Sequence, residues 1–281
     1  MSFQNAIILM GALIVAVLAI AFIASHLFHS RIYRFDQNAE TPEQRGLEGV
    51  NVVHFISEDG ADTQAWVKAP IAGAPVIFYS MGNFTSIGPS VEKLRPFLDK
   101  GFGVAALVYR GSSGAHGIPS EEAFAADARA LYDQFDALTG TIVPPEQRVA
   151  YGYSLGTGVA TRLATERPFS GLVLEAAYAR FCDYFTDRYY GIPFCYLMWK
   201  ERYDSADRIG NIGIPLLMLH GEKDSAIRID SGRNLFEAAS EPKRFIAYEN
   251  GTHVDLGKHG LVDNITEFLA ETVPGSWSSR Q

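Results

Sequence analysis

From Ala6 to Phe28 the chain carries no Lys, Arg, Asp or Glu. At roughly 1.5 Å per helical residue such a run crosses a hydrocarbon core of about 30 Å, so it predicts a transmembrane helix. A cleaved signal peptide fits less well, because no basic residue precedes the run and the usual apolar region of such a peptide is only about 7–15 residues. A polar segment, Asp36 to Arg45, follows, and then the pattern changes. Val50–Ile56 and Gln64–Lys68 flank the turn signal Glu58-Asp59-Gly60-Ala61-Asp62 and read as an antiparallel pair of strands. Pro75–Tyr79 and Phe102–Tyr109 are continuous apolar runs, as expected of strands buried on both faces. A helix is expected over Pro89–Lys100, and Ser120 followed by Glu121 and Glu122 caps another that runs to Leu138.

Strand and helix patterns then alternate: Arg148–Tyr151, a helix after Ser154, Leu172–Leu174, Pro215–His220, Asp230–Ala238, Arg244–Tyr248 and Val254–Thr272. Alternation of this kind predicts an α/β fold whose mostly parallel sheet is covered by helices on both faces. One stretch breaks it. Between Glu175 and Ile209 aromatic residues crowd together (Tyr178, Phe181, Tyr184, Phe185, Tyr189, Tyr190, Phe194, Tyr196 and Trp199), interrupted by Gly191 and Pro193. Placed after a strand of an open sheet, this reads as a small cap over a ligand site, with extra core as the competing reading. The expected organisation is a membrane anchor over 1–30, a linker over 31–48 and one α/β domain over 49–281, with the cap at about 176–209.

Composition narrows the partners. A net charge of -8 leaves no basic surplus for a phosphate backbone, and no Arg/Lys cluster or zinc-finger spacing is present, so nucleic acid is not expected. Arg31, Arg34 and Arg45 all follow the apolar helix, and the bias of basic residues to the inner face puts the large domain in the cytoplasm. Cys182 and Cys195 match no zinc pattern and are too few for a disulfide scaffold. They read as two buried thiols, or as one bridge if the domain lies in an oxidising compartment.

The chemistry centres on Gly152-Tyr153-Ser154-Leu155-Gly156, a serine framed by glycines between a β-branched run and small helix formers. This is the pattern of a nucleophile elbow, where the turn is too tight for side chains two residues before and after the serine. Such a turn also aims the Leu155 amide at the oxyanion of a tetrahedral intermediate. A serine nucleophile needs a base, and the base an acid that fixes its tautomer. Asp224 follows the strand Pro215–His220 and His253 follows the strand Arg244–Tyr248, in the chain order Ser, Asp, His. Glu222 and His259 are the nearby rivals. Loops at the carboxyl edge of a parallel sheet can meet Ser154, which favours Asp224 and His253.

With Leu219-His220-Gly221-Glu222-Lys223-Asp224 and Gly251-Thr252-His253-Val254-Asp255-Leu256 added, the chain resembles the α/β-hydrolase superfamily from about Val50 to the last helix. Tyr109-Arg110-Gly111, Gly117-Ile118-Pro119-Ser120-Glu121 and Gly171-Leu172-Val173-Leu174-Glu175 are similar to its serine aminopeptidase-like branch, many of whose members are single-pass membrane hydrolases. In that family a His-Gly-x loop supplies the second oxyanion donor. Here it reads Met81-Gly82-Asn83, which assigns the role to Asn83, with Phe84 as rival. Val108 also stands where the family usually has an aspartate. The resemblance implies a membrane-anchored serine hydrolase cleaving an ester, thioester or amide through Ser154, His253 and Asp224, with no metal or organic cofactor, and the aromatic cap beside the apolar helix adds the expectation of a small, lipid-like acyl substrate. A peptidase, or a catalytically silent binding domain on the same fold, is the alternative.

Overall fold

The computed structural model describes residues 3–189, 191–192, 194–198 and 200–274, so Tyr190, Pro193, Trp199 and the tail from 275 lie outside the described residues. The apolar run forms helix α1, Phe3–Ile32, and its segment Phe3–Ile20, of mean hydropathy 2.3, is not buried at all against the rest of the chain. Such a helix, apolar on every side, is long enough to cross a bilayer. Its far end is different. Ile32 and Tyr33 are buried in the domain's core, and His29 Nε2 lies 2.6 Å from the Pro119 carbonyl oxygen.

Eight strands form one sheet in the order β1-β2-β4-β3-β5-β6-β7-β8. They are β1 (Asn51–Ile56), β2 (Asp62–Lys68), β3 (Val76–Ser80), β4 (Gly103–Val108), β5 (Arg148–Tyr153), β6 (Gly171–Glu175), β7 (Leu216–Gly221) and β8 (Lys243–Tyr248). The β1–β2 and β2–β4 pairs are antiparallel and all others parallel. Strands β3, β4, β6 and β7 are buried at every position, as their uninterrupted apolar sequences demand of strands covered on both faces. On one face Phe78 packs against Tyr132, Phe135 and Phe169; on the other Tyr79 meets Tyr151 edge-on. The chain leaves β3 toward β4 and returns on β3's other side as β5. The carboxyl ends of β3 and β5 are therefore the point where winding reverses, and ligand sites of open α/β sheets form at such a point.

Three sequence expectations are revised. The helix expected over Pro89–Lys100 is two short helices, α2 (Ile87–Glu92) and α3 (Arg95–Asp99). Pro96 has no N–H to return to Glu92, so it starts a helix instead of continuing one. The helix expected over Val254–Thr272 is a 3₁₀ turn at Leu256–His259 followed by an α-helix, Leu261–Thr272, parted at Gly260, whose φ of 90° suits glycine alone. The cysteines are not buried thiols: Cys182 and Cys195 form a disulfide with their Cα atoms 4.9 Å apart. The bridge is local. It ties together two helices of the aromatic insertion, Phe181–Arg188 and Phe194–Leu197, across the turn at Gly191.

The helix expected from Ser120 forms as Glu121–Thr139, with Ser120 Oγ accepting the Ala123 amide at 3.0 Å. The helices numbered so far are joined by this one, α4, and by α5 (Leu155–Glu166), α6 (Phe181–Arg188), α7 (Phe194–Leu197), α8 (Ser205–Ile209), α9 (Ile229–Ala238) and α10 (Leu261–Thr272). Segments α6 to α8 make up the aromatic insertion, and α7 touches α1.

Candidate active site

Strand β5 passes into α5 through Ser154, whose φ of 51° and ψ of -119° lie where few residues with a side chain are found. A Cβ on Gly152 would stand 2.5 Å from the Gly156 carbonyl oxygen, and one on Gly156 would collide with the carbonyl oxygen of Ser80. Both glycines are thus required by the backbone that presents the serine. The turn is pinned by Ser154 N donating to the Glu175 carbonyl at 2.9 Å and by Thr157 donating from N and Oγ1 to the Ser154 carbonyl.

Asp224 and His253 come from the loops after β7 and β8 and meet the serine, as sequence order suggests. His253 Nε2 is 3.0 Å from Ser154 Oγ, and His253 Nδ1 is 2.8 Å from Asp224 Oδ2. The other oxygen of Asp224 accepts the amides of Ala226 and Ile227, both at 2.8 Å. Burial pushes the Asp224 carboxyl up, but hydrogen bonds from His220, His253 and the Ile227 amide outweigh it and hold the group well below the usual carboxylate range. The rivals lie elsewhere. His259 Nε2 faces Asp255 at 3.8 Å, and Glu222 faces Arg233 at 3.7 Å.

Leu155 and Asn83 line the same cavity as Ser154. The amide of the rival, Phe84, is committed to the Arg34 carbonyl at 3.0 Å. Among the described residues no histidine hydrogen-bonds to this loop. Instead, the residues just beyond α1 lie along it: Arg34 N donates to Asn83 Oδ1 at 2.9 Å, Asn83 Nδ2 donates to the Ile32 carbonyl, and Asp36 N donates to the Thr85 carbonyl at 3.2 Å. Segment 32–36 is thus a strap on the loop of Asn83.

The cavity measures about 750 Å³. Its cap wall is aromatic, made by Phe181, Tyr184, Phe185 and Tyr189, and its mouth is flanked by the exposed side chains of Phe84 and Val254. The insertion's aromatics divide their duties, because Tyr178 and Tyr203 are buried core. Sequence reasoning missed three supporting residues. Tyr153 donates from its hydroxyl to the His253 carbonyl at 3.0 Å, Lys93 Nζ sits 3.8 Å above the Tyr153 ring, and Lys93 also grips both oxygens of buried Glu175 at 2.5 and 2.6 Å. Tyr153, inside the elbow motif, and Glu175, at the end of the Gly171–Glu175 motif, carried a local signal, and Lys93 carried none.

No family model matches the chain. A search of known proteins finds an uncharacterized protein of Mycobacterium tuberculosis that is 31% identical over 222 residues, spanning 77% of this chain and 78% of the relative. A solved esterase of Pyrococcus furiosus superposes with a TM-score of 0.66 at 16% identity, over 86% of this chain and 98% of that one. The chain belongs to the α/β-hydrolase superfamily. Within the superfamily, the lysophosphatidylserine lipase ABHD12 of Danio rerio is 24% identical over 240 residues, 72% of this chain and 62% of the lipase, so this chain spans under two thirds of that relative.

Proposed function

We propose that this α/β hydrolase is a serine acyl hydrolase, held to a membrane by α1, that cleaves an ester, thioester or amide of an apolar acyl group. The observation that carries the reading is the hydrogen-bonded chain from Ser154 through His253 to Asp224, opening on the aromatic cavity. Ser154 Oγ attacks the acyl carbonyl carbon while its proton passes to His253 Nε2, and Asp224 stabilises the imidazolium. The Leu155 and Asn83 amides receive the oxyanion. Collapse expels the leaving group, which takes the proton from His253. Water, deprotonated by the same histidine, then releases the acid and restores Ser154.

Similarity to the Danio rerio lysophosphatidylserine lipase supports including a lysophospholipid ester among the substrates tried. A fluorophosphonate probe tests the mechanism directly. Wild-type protein should label, and Ser154→Ala should not label and should lose on the order of 10⁶ in turnover. A labelled Ser154→Ala, or an inert wild type, refutes it. Each buried methylene contributes about 0.8 kcal/mol, so kcat/KM should rise along p-nitrophenyl esters from acetate to dodecanoate.

The side of the membrane is argued by two features that disagree. The arginines after α1 favour the cytoplasm, whereas the Cys182–Cys195 disulfide belongs to an oxidising compartment. We give the bridge the greater weight, since the arginines are interspersed with Asp36, Glu40 and Glu43 and two of them are bound in the fold: the Arg34 backbone to the Asn83 loop, and Arg45 to Glu40 and Glu92. In intact cells an impermeant maleimide should label the two cysteines only after mild external reduction. Labelling that needs cell lysis but no reductant places the domain inside.

A further inference from the structure

The arginines of this acidic chain are almost all spoken for. Among the arginines whose side chains are described, each has a carboxylate oxygen within 4 Å, with two exceptions, Arg34 and Arg188. Both exceptions line the cavity above Ser154. They reach it from separate parts of the chain, Arg34 from the strap beyond α1 and Arg188 from the last turn of α6 in the cap. Arg34 keeps its guanidinium 6.0 Å from the Phe84 ring centre at the mouth. The third cation of the lining, Lys93, is different because Glu175 neutralises it. No Asp or Glu lines the cavity among the described residues, and the acid beside Arg188 in sequence, Asp187, borders the adjoining cleft.

A guanidinium at a protein surface is ordinarily satisfied by water, and one unpaired arginine carries no message. Here the two arginines without a carboxylate partner, among those whose side chains are described, converge on the cavity that holds Ser154, in a protein of net charge -8 whose carboxylates pair with each of the other described ones. We propose that Arg34 and Arg188 bind an anionic group on the substrate, a phosphate or a carboxylate, while the aromatic wall takes the acyl chain. A planar guanidinium donates paired hydrogen bonds to either anion. The inference rests on the acyl-hydrolase reading for its place in catalysis. It stands apart from that reading as a binding site.

The test uses the full chain in micelles of an uncharged detergent, so that bilayer phosphates do not attract the arginines. Three dodecanoyl esters are compared: a monoacylglycerol, a lysophosphatidate and 3-dodecanoyloxypropionate. In Arg34→Gln, Arg188→Gln and the double variant, the preference in kcat/KM for anionic over neutral ester should fall about ten- to a hundredfold. Arg→Lys at either position should restore part of it. The anion whose preference falls more, phosphate or carboxylate, identifies the natural group. A preference that stays constant while all rates change together overturns the proposal, since that is the mark of a packing role. Binding supplies the independent readout: Ser154→Ala should bind an ether-linked lysophosphatidate more tightly than the same protein with both arginines changed to Gln, whether or not any ester is turned over. Equal affinity overturns the anion site. An inert wild type that still shows arginine-dependent binding overturns only the acyl-hydrolase reading.

Discussion

Ser154 holds a backbone conformation that costs on the order of 1–3 kcal/mol, and its surroundings leave it no other. Glycines on both sides let β5 and α5 close to backbone contact, and the Glu175 carbonyl takes the serine's amide. His253 is fixed from behind by Asp224 and through its carbonyl by Tyr153, so its imidazole is positioned from two sides. His253→Ala should therefore cost about as much as loss of the serine, on the order of 10⁶ in turnover, while His259→Ala should cost little, since His259 faces Asp255. Ester-hydrolysis rates of the two variants decide this, and the reverse ranking would move the base to His259. The meeting of Ser154, Asp224 and His253 was legible in the sequence because each follows a recognisable strand and the chain order restricts the choice. That of Lys93 and Glu175 was not. They are 82 positions apart, and only the sheet brings an ordinary lysine onto an ordinary glutamate beneath the elbow.

Elements were legible where apolar period and caps agree, as at Ser120 and α4, and illegible where a single residue interrupts a good pattern. Pro96 and Gly260 each divided an expected helix, the first by lacking a donor and the second by its left-handed backbone. The strap had no sequence signature at all, because Ile32, Arg34 and Asp36 act largely through their main chain on the loop of Asn83 and Thr85. It braces the Met81-Gly82-Asn83 loop, which has no histidine of its own. A domain that starts at Arg31 should retain turnover, whereas one that starts at Gln37 should lose on the order of 10²–10³ in kcat with a much smaller change in KM, the signature of a misplaced oxyanion donor. Equal kcat for the two chains, both confirmed folded by circular dichroism, would show that the strap only covers the loop.

At the scale of the molecule, one polar knot joins the apolar helix, the cap and α4. The Tyr33 hydroxyl donates to Glu201 and lies 2.8 Å from the Tyr203 hydroxyl, Glu201 accepts the Glu121 amide at 2.8 Å, and Glu121 accepts the Tyr203 amide at 2.7 Å. Burial raises the Glu201 carboxyl above its ordinary range, and the Tyr33 hydroxyl draws it part of the way back. A raised folded value means that the group's stabilising contribution is complete below the unfolded value and is lost as pH rises through the folded one. Tyr33→Phe raises Glu201 further, so it should destabilise by about 1–3 kcal/mol at neutral pH and by less below the carboxylate range. Thermal melts of the full chain in micelles at the two pH values check this, and a pH-independent loss would assign the effect to packing alone. The strap has a further consequence. In the proposed membrane-held protein the apolar run Ala6–Phe28 would measure about 35 Å as a helix, against a hydrocarbon core of about 30 Å, so bilayers of different thickness would change the tilt of α1. Because the chain passes from α1 into the Asn83 loop's partner within two residues, we predict that tilt reaches the loop and that the lipid around the helix sets the rate. In nanodiscs of increasing acyl-chain length kcat should change for the full chain and stay constant for the domain that starts at Arg31.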